Sequence, residues 1–113
     1  MSRRVVITGG AAGIGARIAE RFSDLGDEVA ICDADAQAVA AFADAHPTIR
    51  ARVANVTDAE AMDAFLGEIE TDWGGADAVF ANAGTGGPAA RIEDISPEDW
   101  RDCLAVNLDC AFL

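Results

Sequence analysis

A glycine-rich segment that directly follows an apolar segment constrains the fold of this chain more than any other feature. The stretch VVITGGAAGIG occupies residues 5–15, and apolar residues at helical spacing follow it. Glycine after a buried strand permits a tight turn, and a helix that begins at once presents unpaired backbone N–H groups. The stretch therefore predicts a strand, a turn and a helix.

The same alternation of apolar and helical segments continues along the sequence and indicates a parallel sheet covered by helices. Helix three is predicted to begin at the capping box Thr57-Asp58-Ala59-Glu60, with an apolar stripe at residues 62, 65, 66, 69 and 73 that packs on the sheet. Ser96-Pro97 predicts the start of a last helix, which we expect to run to the end of the chain. The predicted strands span residues 3–7, 28–32, 50–54 and 76–81, and the other helices span 13–25 and 36–45.

Composition bounds the class of protein. A chain of 113 residues allows one domain with a modest core. The net charge of −12 argues against nucleic acid or an anionic membrane as a partner, because both require clustered positive charge. No apolar run approaches the ~18 residues of a membrane span, and the N-terminus does not resemble a signal peptide, so we expect a cytoplasmic protein. Cys32, Cys103 and Cys110 form no C-x-x-C pair and are predicted to be small buried residues, with no metal site.

Two explanations of the glycines compete: binding of nucleotide phosphates, and close packing of a helix on a strand. Gly9, Gly13 and Gly15 follow Thr8 at a spacing that differs from G-x-G-x-x-G, and the Gly-Lys-Ser/Thr of a P-loop is absent. Asp33, at the end of the second predicted strand, favours nucleotide binding, because a carboxylate there accepts hydrogen bonds from an adenosine ribose. Its charge repels a 2′-phosphate, which favours NAD over NADP.

At these residues the sequence resembles the short-chain dehydrogenase/reductase family. Residues 8–15 match its Thr-Gly-x-x-x-Gly-Ile-Gly motif, residues 81–84 match its Asn-Ala-Gly, and residues 105–109 resemble the segment that holds its catalytic Asn. The resemblance implies an incomplete Rossmann-type α/β fold, with four parallel strands in the order 3-2-1-4, as the N-terminal part of a single NAD(P)-binding domain. It assigns cofactor binding to Thr8, Gly9, Gly13, Ile14, Gly15, Asp33, Asn55, Val56, Asn82, Ala83 and Gly84, and catalysis to Asn107, which would hold a relay water in a distorted helix.

Asn55 departs from the family pattern, which commonly has Asp at this position beside the adenine. The carbonyl of Asn55 is expected still to accept a hydrogen bond from the adenine amino group. The resemblance therefore implies adenine binding that is weakened but not abolished.

The family transfers hydride between a nicotinamide and an alcohol or carbonyl carbon, and its Ser and Tyr-x-x-x-Lys lie downstream of the Asn. This chain contains no Tyr and no Lys. We therefore expect an oxidoreductase by family that is inactive as this chain alone, and whose whole protein is a homo-oligomer. A naturally short, non-catalytic nucleotide-binding module and part of an S-adenosylmethionine-binding methyltransferase are the alternatives. The fourth strand carries no Lys, Pro or bulge to protect an edge, which predicts association of the chain.

Overall fold

The computed structural model describes residues 2–112, which form one four-stranded parallel sheet with helices on both faces. The strand order is β3-β2-β1-β4, so the predicted fold class and strand order are confirmed. The strands are β1 Arg4–Thr8, β2 Glu28–Asp33, β3 Arg50–Val53 and β4 Ala78–Phe80. The helices are α1 Gly13–Asp24, α2 Ala36–Ala45, α3 Ala59–Trp73, α4 Pro97–Leu104 and α5 Cys110–Phe112.

The two faces of the sheet bury separate apolar clusters, because successive side chains of a strand point to opposite faces. Val5 and Ile7 of β1 pack with α1 and α2, and Val6 packs with Phe65 and Ile69 of α3 on the other face. The central strands β1 and β2 are therefore buried on both sides and bring their carboxyl ends to one edge of the sheet. Turns and loops at this edge form the site described below.

The start of α3 differs from the prediction. Asp58, and not Thr57, caps the helix by accepting a hydrogen bond from the backbone N–H of Ala61. The hydroxyl of Thr57 donates instead to Asn55. The predicted apolar stripe is buried at Phe65 and Ile69, but Leu66 is 38% exposed.

The last helix begins as predicted and then departs from regular α geometry. Ser96 caps it by accepting from the N–H of Asp99, and Pro97 lies in its first turn. A π-helical segment, Ala105–Asp109, separates α4 from α5. The predicted continuation to Leu113 lies outside the described residues. In residues 2–112 no helix is long and apolar enough to cross a lipid bilayer.

Candidate functional site

The turn after β1 is held against the segment after β4. The Thr8 hydroxyl accepts hydrogen bonds from the backbone N–H groups of Asn82 and Ala83, both at 3.1 Å. Gly9 has a φ of +62°, and a Cβ built on it would lie 2.9 Å from the Cα of Ala83. Any larger residue at this position would therefore strain the backbone and separate the two segments.

The third glycine of the motif serves close packing. A Cβ on Gly15 would overlap the carbonyl oxygen of Gly9 and lie 2.6 Å from the side-chain nitrogen of Asn82. That nitrogen donates to the carbonyls of Thr8 and Gly9, both at 3.1 Å. The packing explanation of the glycines thus applies to Gly15, and this contact brings the N-terminus of α1 against the turn.

The N-terminus of α1 differs from those of the next three helices. Asp35, Asp58 and Ser96 cap α2, α3 and α4 with their side chains. The N-cap of α1 is Ala12, whose side chain cannot accept a hydrogen bond, and no other side chain of residues 2–112 caps this end. The first N–H groups of α1 lack intrahelical acceptors, so this end attracts an anion.

Asp33 ends β2 beside this turn, and its carboxylate is held by two backbone groups. The carboxylate accepts from the N–H of Ala11 at 3.2 Å and from the N–H of Asp35 at 3.1 Å. Asp35 is the residue that caps α2, by accepting from Gln37 and Ala38. Asp33 is therefore not needed as a helix cap, and its position ties the glycine-rich turn to the end of β2.

A cavity of about 430 Å³ lies along this edge of the sheet. Thr8, Gly13, Gly15 and Asn107, which the resemblance assigned to the site, do not line it. Ala12, Ala34, Ala54 and Val106 line it without having been assigned, although each is adjacent in sequence to an assigned residue. The assigned residues that line it are Gly9, Ile14, Asp33, Asn55, Val56, Asn82, Ala83 and Gly84.

Asn55 makes contacts that were not expected from the sequence. Its side-chain oxygen accepts from the backbone N–H of Thr57 at 2.9 Å and from the hydroxyl of Thr57 at 2.8 Å. The oxygen that the resemblance assigned to the adenine amino group is thus engaged within its own turn, and the cofactor-binding role of Asn55 stays a prediction. The sequence did not indicate this contact, because the capping-box motif predicted that the Thr57 hydroxyl would cap α3.

Asn107 lies in the π-helical segment, which confirms the distorted helix expected from the resemblance. Its side-chain oxygen accepts from the N–H of Thr85 at 3.0 Å, and its nitrogen donates to the carbonyls of Thr85 and Cys103, both at 2.9 Å. A Cβ on Gly84 would lie 2.7 Å from that oxygen. Asn107 thus joins the distorted helix to the loop after β4. Its catalytic role stays a prediction.

The cysteines are unpaired, and their environments differ. Cys32 is fully buried, and burial together with the neighbouring Asp33 raises the pKa of its thiol to about 11. Cys103 and Cys110 are half-buried, so the expectation of buried residues holds only for Cys32. In the part of the chain that the structure describes, no group of three or more His, Cys, Asp or Glu side chains could hold a metal ion.

A family model described as short chain dehydrogenase matches residues 3–113. The chain belongs to this family. It is 36% identical over 107 residues to L-fucose dehydrogenase of Oryctolagus cuniculus, a match that covers 92% of this chain and 37% of the relative. It is 32% identical over 112 residues to galactitol 2-dehydrogenase of Rhizobium johnstonii, with 96% of this chain and 44% of the relative covered.

Solved structures of the family share the fold. A short-chain dehydrogenase/reductase described as glucose/ribitol dehydrogenase, from Brucella melitensis, superposes with a TM-score of 0.89 at 30% identity, over 97% of this chain and 47% of that chain. The chain thus spans less than half the length of the relatives it matches. Family membership decides against the methyltransferase interpretation and supports an oxidoreductase of the short-chain dehydrogenase type.

Proposed function

We propose that this chain is the dinucleotide-binding half of an NAD-dependent short-chain dehydrogenase. One observation carries the proposal: the uncapped N-terminus of α1 and the carboxylate of Asp33 border the same cavity. The free N–H groups there suit a pyrophosphate, and Asp33 suits the hydroxyls of the adjoining ribose. Ala12, Ile14 and Asp33 would hold these parts of the dinucleotide, which supplies the hydride-transfer chemistry when bound.

The same residues favour NAD over NADP. A 2′-phosphate on the ribose would place a second negative charge beside Asp33. Ala12 and Ala34, the neighbours that line the cavity, carry no positive charge to offset it. Two like unit charges about 4 Å apart repel each other by ~1 kcal/mol in bulk water and by ~4 kcal/mol near a protein surface. The preference for NAD should therefore be at least about fivefold.

Binding of the two dinucleotides to the chain and to Asp33→Asn tests this proposal. The variant keeps an oxygen that can accept from Ala11 or Asp35 but removes the charge. We expect NAD to bind the chain more tightly than NADP in calorimetric titrations. In Asp33→Asn, the ratio of the NADP dissociation constant to the NAD dissociation constant should fall by at least about fivefold. An unchanged ratio, or no binding of NAD, would contradict the proposal.

We further propose that this chain alone does not turn over substrate. The family places its proton-transferring Tyr and Lys beyond the Asn, and neither residue type occurs here. A positioned general acid-base group is worth about 10² to 10⁴ in rate, so its loss leaves little activity. Incubation with NAD and with sugars and polyols, including the L-fucose and galactitol named for two relatives, should yield no NADH. Clear turnover would contradict this.

We propose that the whole protein acts on a small alcohol or carbonyl substrate. It would assemble as a homo-oligomer through the helix that begins at Pro97, without nucleic acid or membrane as a partner. We propose a cytoplasmic location, because the three cysteines are unpaired, as in reduced compartments. A non-catalytic nucleotide-binding module is the second candidate, since the uncapped end of α1 and Asp33 would serve binding without catalysis. Sequencing the reading frame beyond residue 113 distinguishes the two, since only the enzyme requires a downstream Ser and Tyr-x-x-x-Lys.

A further inference from the structure

The cavity runs along the edge of the sheet from the ends of β2 and β3 to the end of β4. Asp33 and Asn55 line it at the first of these ends, and Gly84 and Val106 line it at the second. A dinucleotide whose adenosine ribose meets Asp33 and whose pyrophosphate meets α1 would extend its nicotinamide half toward β4. The position of Gly84 relative to Val106 therefore sets the shape of the wall around that half.

One side-chain amide, that of Asn107, joins the two walls at the β4 end. Thr85, next to Gly84, donates its backbone N–H to the amide oxygen at 3.0 Å and accepts from the amide nitrogen at 2.9 Å. Asn107 itself adjoins Val106 and lies in the π-helical segment. A shift of this amide would therefore move both walls of the cavity at this end.

Cys103 holds the amide of Asn107 from one helical turn earlier, in α4. Its carbonyl accepts from the amide nitrogen at 2.9 Å, and its sulfur lies 3.3 Å from the same nitrogen. The nitrogen carries two hydrogens and faces three acceptors, so two of these acceptors share one hydrogen. The sulfur also lies 3.4 Å from the point that a Cβ on Gly87 would occupy. The thiol thus lies between the amide and the loop after β4.

We propose that Cys103 is a positioning residue, whose thiol fixes the amide of Asn107 and thereby the wall that meets the nicotinamide half of a dinucleotide. Cys103 does not line the cavity, so it acts through Asn107 and not by touching the ligand. The loop that it holds, residues 84–87, contains three glycines and has little stiffness of its own. This inference rests on the proposed dinucleotide binding.

Calorimetric titrations with NAD and with adenosine diphosphate (ADP) test the inference. ADP carries the adenosine and the diphosphate but lacks the nicotinamide riboside. Cys103→Ala removes the thiol and keeps the backbone carbonyl. We expect it to raise the dissociation constant of NAD at least about twofold and to leave that of ADP unchanged. Cys103→Ser should bind NAD nearly as tightly as the unmodified chain, because its hydroxyl can accept from the amide nitrogen.

Hydrogen exchange separates local positioning from a loss of overall stability. In Cys103→Ala the exchange rate of the Thr85 N–H should rise at least about twofold relative to that of Ala83, whose N–H is bonded to the turn after β1. Overall destabilisation would raise both rates together. Cys110→Ala is the matched control, because Cys110 is also half-buried but its thiol donates to a helix carbonyl and not to the amide of Asn107.

Several outcomes would overturn the inference while dinucleotide binding stands. These are equal changes in the affinities of NAD and ADP, no change in either, equal changes in the two exchange rates, and a Cys103→Ser chain that binds NAD no better than Cys103→Ala. An effect of Cys110→Ala equal to that of Cys103→Ala would overturn it as well. If NAD does not bind the unmodified chain, the proposed function fails, and the inference fails with it.

Discussion

At the scale of single residues, contacts between the glycine-rich turn and Asn82 hold the site together. The nitrogen of Asn82 bonds the carbonyls of Thr8 and Gly9, and the same nitrogen leaves no room for a Cβ on Gly15. These contacts join the first turn to the segment after β4, although the two are far apart in sequence. The shape of the cavity therefore depends also on Thr8 and Gly15, which do not line it.

Gly15→Ala should destabilise the fold, because the added methyl group meets the carbonyl of Gly9 and the nitrogen of Asn82. Overpacking of this kind costs about 1–3 kcal/mol. Urea unfolding followed by circular dichroism measures the change. Gly67→Ala is the matched control, because Gly67 lies in α3 and no described atom lies within 4 Å of an added Cβ. Its free energy of unfolding should rise by about 0.5–1 kcal/mol, since alanine favours a helix more than glycine does. Equal effects of the two substitutions would contradict this account.

At the scale of elements, an ion pair fixes the start of β4 beside the start of β1. The carboxylate of Asp77 accepts from the backbone N–H of Arg4 at 2.7 Å and pairs with its guanidinium at 3.0 Å. These bonds to Arg4 lower the pKa of Asp77 from 3.8 to about 2. Because the folded-state pKa is depressed, the stabilisation is complete above about pH 4 and is lost as the pH falls toward 2.

Asp77→Asn should therefore lower the melting temperature at neutral pH by an amount that disappears in acid. The difference between the chain and the variant should be constant from pH 7 to about 5, shrink between about 4 and 2, and vanish below 2. Thermal melts at stepped pH measure it. Asp44→Asn, which alters an exposed carboxylate of α2, controls for net charge. A difference that persists to pH 2 would show that the pair does not act through charge.

The elements were predictable where local signals agree with packing. Alternating apolar segments located all four strands within about two residues, and Ser96-Pro97 located the start of α4. The cap of α3 was not predictable, because Thr57 and Asp58 are both good N-caps and the choice depends on Asn55, which competes for the Thr57 hydroxyl. The π-helical segment followed from the family resemblance and not from periodicity.

At the scale of the whole molecule, the described chain leaves one side of β4 and the neighbouring face of α1 uncovered. Val79 of β4 is 61% exposed and Ile14 is 74% exposed. A groove of about 850 Å³, lined by Ile14, Ile18, Phe22 and Phe80 among others, lies on the α1 side of this edge, whereas Val79 faces the other side of the sheet. An unprotected strand edge beside apolar surface favours pairing with another chain.

We predict that the purified chain self-associates through this edge, as its sequence indicated. Val79→Lys should shift the chain toward monomer in gel filtration with light scattering, because a charged side chain on an edge strand opposes pairing. Ile92→Lys is the control, because Ile92 is 79% exposed and belongs to a 3₁₀ turn that is not part of the sheet. A chain that is monomeric without substitution, or that both substitutions dissociate equally, would contradict the prediction.

The position of the cavity in the fold was predictable from the sequence, but some of the residues that line it were not. The glycine motif and Asp33 indicated the edge of the sheet where the cavity lies, because the carboxyl ends of parallel strands meet there. The two hydrogen bonds that Thr57 donates to the side-chain oxygen of Asn55 were not predictable, since they depend on the conformation of one turn. The wall residues Ala54 and Val106 have no chemical signature that a sequence motif could reveal.

We propose that a dinucleotide occupies the cavity between the uncapped end of α1 and Asp33. Titration of NAD into the isotope-labelled chain, followed by amide chemical shifts, tests it most directly. We expect the largest changes in chemical shift at residues 9–15 and 33, and smaller changes at residues 54–56. Shifts confined to the groove between α1 and β4, or none at saturating NAD, would contradict it.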